Sequence, residues 1–137
     1  MANSTTQYRL SDGRVALDVT ENKTLDLAQC GIVQNVITDA ITVTLPATSA
    51  GATFTIRNGG VPKTSGPAGT GDDFSCLVTV SPNSADKIQG LGFTAADDKD
   101  ALNTKATARV GDEIVLVGDG TDGWLVVRAR GIWARQS

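Results

Sequence analysis

The chain predicts an all-β sandwich or barrel, and three observations carry that expectation. Apolar residues alternate with polar ones along several short stretches, the period of a strand with one buried face. Turn-forming Gly, Asp, Asn and Pro punctuate the chain at intervals of roughly 8–12 residues, which gives about ten short strands. No stretch keeps a helical period long enough to stand as a stable helix. At 137 residues the chain reads as one domain. A chain of that size buries roughly two-thirds of its unfolded surface. With 40% hydrophobic but only 4% aromatic residues, its core is expected to be Val, Ile, Leu and Ala. No fixed-period repeat is visible, which argues against a solenoid or propeller.

The closing stretch Val110–Trp133 shows the strand pattern most plainly. Ile114–Val117 and Leu125–Val127 are apolar runs, and Gly118–Gly123 between them carries two Asp-Gly steps. Glycine reaches the positive φ of a tight turn because no Cβ clashes. A hairpin is expected there, with Trp124 opening its return strand and the other strands packing on it.

Upstream, Tyr8–Leu10 and Val15–Val19 read as short strands around the turn Ser11-Asp12-Gly13. Thr24–Leu27 reads as extended, with Leu25 and Leu27 on one face. Ile32–Ile37 resumes after a turn at Gly31. Ile41–Leu45 alternates apolar residues with Thr42 and Thr44, and Pro46, which has no N–H for a ladder, ends it. Ala52–Ile56 repeats the alternation with Thr53 and Thr55, so the two segments are expected as a hairpin or as neighbouring strands of a sandwich. The Gly- and Pro-rich stretch Asn58–Asp73 far exceeds the usual connection of about 4–6 residues and reads as a surface or contact loop. Leu77–Ser81 is another alternating strand, stopped by Pro82. Ile88 is expected beneath the turn Asp86–Gly90. The acidic, alanine-rich Ala95–Leu102 reads as one helical turn at most, and Thr104–Val110 as a return to extended structure.

The charge balance narrows the function classes. A net charge of −3 argues against a nucleic-acid binder with a basic stripe and against a polybasic membrane module. No window reaches the roughly 18 apolar residues of a membrane span. Met1–Ser11 is polar and lacks the apolar region of a secretory signal. Cys30 and Cys76 are then expected as free, buried thiols; a disulfide requires that the strands bring them together. There is no histidine. The commonest general base and zinc ligand are therefore missing, and neither a Ser-His-Asp nor a Cys-His arrangement can form.

Candidate sites are few. Asp97, Asp98 and Asp100 offer oxygens for a hard cation, yet their spacing is not that of an EF-hand, and a solvated acidic turn accounts for them. Asp119 and Asp122 are explained by turn chemistry. The glycines of Asn58–Asp73 do not form a phosphate-binding fingerprint. Arg128 and Arg130 share a strand face by the period of two, and Arg135 follows. Their guanidinium forks suit carboxylates on a partner surface, or else form an ordinary solvated face. Trp133 is expected to anchor the C-terminal segment on the core or on a neighbour.

With these residues laid out, the chain resembles a tailed-bacteriophage capsid decoration (cement) protein. The resembling segments are Gly31–Val36, Ile41–Pro46 with Gly51–Asn58, and Val80-Ser81-Pro82 with Asp86–Gly90. They continue with Gly111–Gly123 leading into Trp124, and with Gly131–Arg135. Their order along residues 30–135 carries more weight than any one of them. The resemblance implies a jelly-roll-like β-sandwich at residues 11–137 behind a flexible N-terminal arm at 1–10. It implies a non-enzymatic homo-oligomer, a trimer in preference to a dimer, on the outer surface of the capsid. There it would bridge major capsid subunits and stabilise the head, with no cofactor, metal, nucleic acid or membrane involved. The expected capsid or oligomer contacts are Tyr8 in the arm and Arg128, Arg130, Trp133 and Arg135 at the C-terminal end. The alternative is a head-fibre or tail-fibre module binding host carbohydrate. Two Trp, one Tyr and three Phe leave little for the aromatic platforms such sites display.

Overall fold

The computed structural model describes residues 3–61, 74–93, 96 and 98–137. Within them the chain is all-β, with one short 3-10 turn at Leu27–Gln29 and no α-helix. No helix among the described residues is long and apolar enough to cross a membrane. One sheet has seven strands in the order β1 (Gln7–Arg9), β2 (Val15–Val19), β4 (Val33–Val36), β6 (Thr53–Asn58), β10 (Glu113–Gly118), β11 (Gly123–Arg130) and β8 (Lys87–Gln89). The other has five, β12 (Ala134–Arg135), β9 (Ala101–Asn103), β7 (Val78–Ser81), β5 (Ile41–Thr44) and β3 (Lys23–Thr24).

The path between the sheets is a coil. From β2 to β7 the chain alternates sheets at every strand. Each strand lies parallel to the one before it in the same sheet, β2 with β4 and β6, and β3 with β5 and β7. Three rungs result. Val19 pairs with Val36 and Val36 with Asn58, so the rung offset changes from 17 to 22 residues. On the other sheet Val43 pairs with Val80 across the stretch that contains Asn58–Asp73. The unequal offsets are why no fixed repeat is visible in the sequence. Antiparallel strands close the coil, β10 on β6 and β9 on β7. The all-β class holds; these mixed sheets do not confirm jelly-roll connectivity, which is built from antiparallel Greek keys.

The core lies between the sheets. Ile41, Val43, Val78 and Val80 face Phe54, Ile56, Ile114 and Leu116, all buried. Phe54 and Trp124 meet in a tilted aromatic pair with centroids 5.4 Å apart. Such pairs add roughly 0.5–1.5 kcal/mol beyond their buried area. Ile41–Thr44 and Thr53–Asn58 therefore face each other from opposite sheets and do not form a hairpin. Thr42, Thr44, Thr53 and Thr55 take the outward positions and are half-buried.

The expected closing hairpin forms as β10 and β11, antiparallel. Gly123 is required where β8 approaches, because a Cβ there would overlap the Lys87 backbone. Three local expectations are corrected. Leu25 is buried but Leu27 is 51% exposed, since β3 ends at Thr24 and the 3-10 turn swings Leu27 outward. Asp26 starts that turn by accepting from Ala28 N, while Gln29 Oε1 accepts from Asp26 N. Ala101–Asn103 is a strand rather than the end of a helical turn, held between β7 and β12. Thr104–Val110 is a run of turns, with Ala108 N donating to Thr104 O. Most of the Asn58–Asp73 loop, positions 62–73, lies outside the described residues.

Candidate functional site

The outer face of the seven-stranded sheet concentrates the unusual chemistry. β11 would alternate in and out along its length, but its register with β10 slips between Val115 and Leu116. Val115 pairs with Arg128 and Leu116 with Val126, so Val127 is the extra residue of a bulge. Trp124, Val126 and Ala129 point to the core. Leu125, Val127, Arg128 and Arg130 are all exposed, Leu125 at 48% and Val127 at 53%. The bulge thus sets two apolar residues and two arginines on one open face. The period-two pairing of Arg128 with Arg130 survives because both lie beyond the bulge.

Arg130 also lines a cleft of about 360 Å³ at the end of this sheet, with Asp12, Arg14, Arg57 and Glu113. Glu113 pairs in register with Arg57 on one side and Arg130 on the other. Arg14 reaches across from the β1–β2 turn: its Nη1 donates to Glu113 Oε1 at 2.6 Å and its Nε to Asp12 Oδ2 at 2.9 Å. The hydrogen bond to Glu113, reinforced by Asp12, raises the Arg14 guanidinium above its ordinary pKa. Bonds from the Arg14 backbone and side chain lower the Asp12 carboxyl. Arg57 and Arg130 make no side-chain hydrogen bond or ion pair among the described residues.

The remaining expected contacts are dispersed. Tyr8 sits on the edge strand β1, 38% exposed, with four strands between it and β11 in the same sheet. Its hydroxyl donates to Asp18 Oδ1 at 2.5 Å and accepts from Asn35 Nδ2 at 3.2 Å. Partial burial, then Asp18, raises the Tyr8 pKa. The arm before it is tied down at Asn3, whose Oδ1 accepts from Thr20 N and Glu21 N. Trp133 takes the inward one of its two expected roles. It is buried in the core, its indole N–H donating to Arg130 O at 3.0 Å. Its side chain is thereby withdrawn from any contact surface. Arg135 lies in β12 on the other sheet and does not join the arginine face.

Other candidates resolve into structure. Asp119 Oδ1 accepts from the N–H groups of Thr121, Asp122 and Gly123. Those bonds, Gly123's first, hold its carboxyl below the usual range. Asp97 lies outside the described residues, and Asp98 N donates to Asp86 O. Among the described residues no group of three or more Cys, Asp or Glu is arranged to hold a metal. Cys30 and Cys76 are free thiols, Cys30 half-buried and Cys76 fully buried. Burial pushes Cys76 up to about 11.

Arg14, Arg57 and Glu113 are the functional candidates that sequence reasoning missed. Arg57 extends the alternation of Ala52–Ile56 and so falls outward, a signal present in the sequence. The pairing of β6 with β10, which brings Arg57 to Glu113, is not. Comparison with known proteins finds no matching family model, no matching curated protein and no matching solved structure.

Proposed function

We propose that this is a non-catalytic adhesion protein of a virus particle, a capsid decoration protein that binds the outer shell and bridges major capsid subunits. One observation carries the reading: Leu125, Val127, Arg128 and Arg130 stand together on an open sheet face. Exposed apolar residues suit contact with a partner, and arginine is enriched in protein–protein contacts and among the residues that carry most of their binding energy. The fold supplies a rigid platform for that face, because the strands beneath it are fixed by Trp124, Val126 and Ala129 in the core. Assembly as a homo-oligomer, a trimer in the first instance, multiplies modest contacts through effective concentration. The ends of both sheets carry short strands, β1 of three residues and β12 of two, which limits uncontrolled edge pairing and leaves the face to do the binding.

The test is the copy number of this chain on purified particles of the virus that encodes it. The reading expects co-sedimentation at near-capsomer stoichiometry, and earlier thermal release of the genome from particles lacking the chain. A few copies per particle would support a fibre module instead. No co-sedimentation would overturn both.

A further inference from the structure

We propose that the cleft between Arg57 and Arg130 binds a carboxylate from an acidic side chain of the partner protein. The inference deepens the adhesion reading and rests on it for the claim that the carboxylate belongs to a protein. The cleft holds three arginines against two carboxylates, Asp12 and Glu113. Arg14 is already engaged by both acids. Arg57 and Arg130 flank Glu113 from neighbouring strands, and their guanidinium groups make no hydrogen bond or ion pair among the described residues. One positive charge is left over, with two guanidinium forks to direct it.

That count selects the ligand. A carboxylate brings one negative charge and two oxygens, the geometry a guanidinium fork binds in a bidentate manner. A phosphate dianion would exceed the local charge and meet Asp12 and Glu113. A cleft of about 360 Å³ accommodates the end of an Asp or Glu side chain with its waters. Arg57, Glu113 and Arg130 stand in register on three adjacent strands, so the forks are held on rigid elements rather than on a loop. The surrounding protein is acidic, with a net charge of −3, so recognition depends on contact at the cleft and not on long-range attraction.

The experiment titrates an acetylated tri-glutamate peptide into the intact protein at low salt, followed by NMR. Arg57→Ala and Arg130→Ala are each expected to weaken binding about tenfold, by loss of a charge-assisted pair. Arg130→Lys, which keeps the charge but loses the fork, should fall between wild type and Arg130→Ala. Lys99→Ala removes a positive charge that bonds Ser137 O away from the cleft and should leave binding unchanged. No peptide binding, equal affinity in both arginine-to-alanine variants and wild type, or tighter binding of inorganic phosphate than of peptide would each overturn the proposal. Pelleting the same variants with purified particles separates the two claims. Peptide binding without pelleting keeps the cleft and overturns the adhesion reading. Pelleting that survives both alanine substitutions, without peptide binding, does the reverse.

Discussion

Adjacent residues on the same two strands live under opposite rules. On β6, Arg57 faces out and Asn58 faces in; on β10 and just before it, Glu113 faces out and Asp112 in. Inside, the Asn58 side chain leaves nothing over. Asn58 Nδ2 donates to Cys76 O at 2.8 Å and Asn103 Oδ1 at 2.7 Å, while its Oδ1 accepts from Cys76 N and Gly60 N. Asn103 Nδ2 donates in turn to Asp112 Oδ2 and Ile132 O, and Asp112 Oδ2 also accepts from Arg109 N. The network ties both sheets and the chain's last turn together. Outside, the Arg57 and Arg130 guanidinium groups make no hydrogen bond or ion pair among the described residues. A buried polar group that loses its partner costs roughly 1–3 kcal/mol. Exposed ones remain solvated until something binds.

The sharpest way to break that contrast is Asn58→Ala. It orphans Cys76 N, Gly60 N and Asn103 Oδ1 together, and should cost about 3 kcal/mol or more in urea unfolding. Gly131→Ala should come next, at about 1–2 kcal/mol, because Gly131 adopts φ +91° and a Cβ there would overlap the Asp112 carboxylate. Arg57→Ala, one residue from the network, should stay within about 0.5 kcal/mol of wild type, since it removes no internal partner. A loss comparable to Asn58→Ala would show that Arg57 is structural after all. The smallest effect is expected at the hairpin turn. The Asp119 carboxyl is depressed in the fold, so its contribution is present above its unfolded pKa and fades as pH falls through its folded value. Asp119→Ala should lower the melting temperature slightly at neutral pH and leave it unchanged at low pH, which flattens the acid limb of the profile. An unaltered acid limb would show that the three N–H bonds do not favour the charged form.

How much of this was legible follows from how local each feature is. The β10–β11 hairpin was readable because its Asp-Gly turn and both apolar runs lie within two dozen residues. The threonine faces were readable because period two is a property of one strand. The coil was not, since parallel pairing depends on which distant strand stacks beside which. Asn58 looked like the first residue of a loop, and only the approach of Cys76 and Asn103 makes it a buried hub. The arginine face was half legible. Arg128 and Arg130 were visible as a pair, but the bulge that adds Leu125 and Val127 to them depends on register with β10. Arg57 and Glu113 meet only through the β6–β10 ladder.

The order in which the sheets are completed has a consequence for biosynthesis. Two of the seven strands of the larger sheet, β10 and β11, come from the last quarter of the chain, and β12 with Trp133 closes the smaller sheet from its final residues. A nascent chain emerging from the ribosome can wind its rungs, but β6 lacks its β10 neighbour and Phe54 its Trp124 partner until those residues are made. Closure of the core waits on this non-local pairing, which is slow, and a polypeptide stalled before β10 would present its unfinished core to chaperones and proteases.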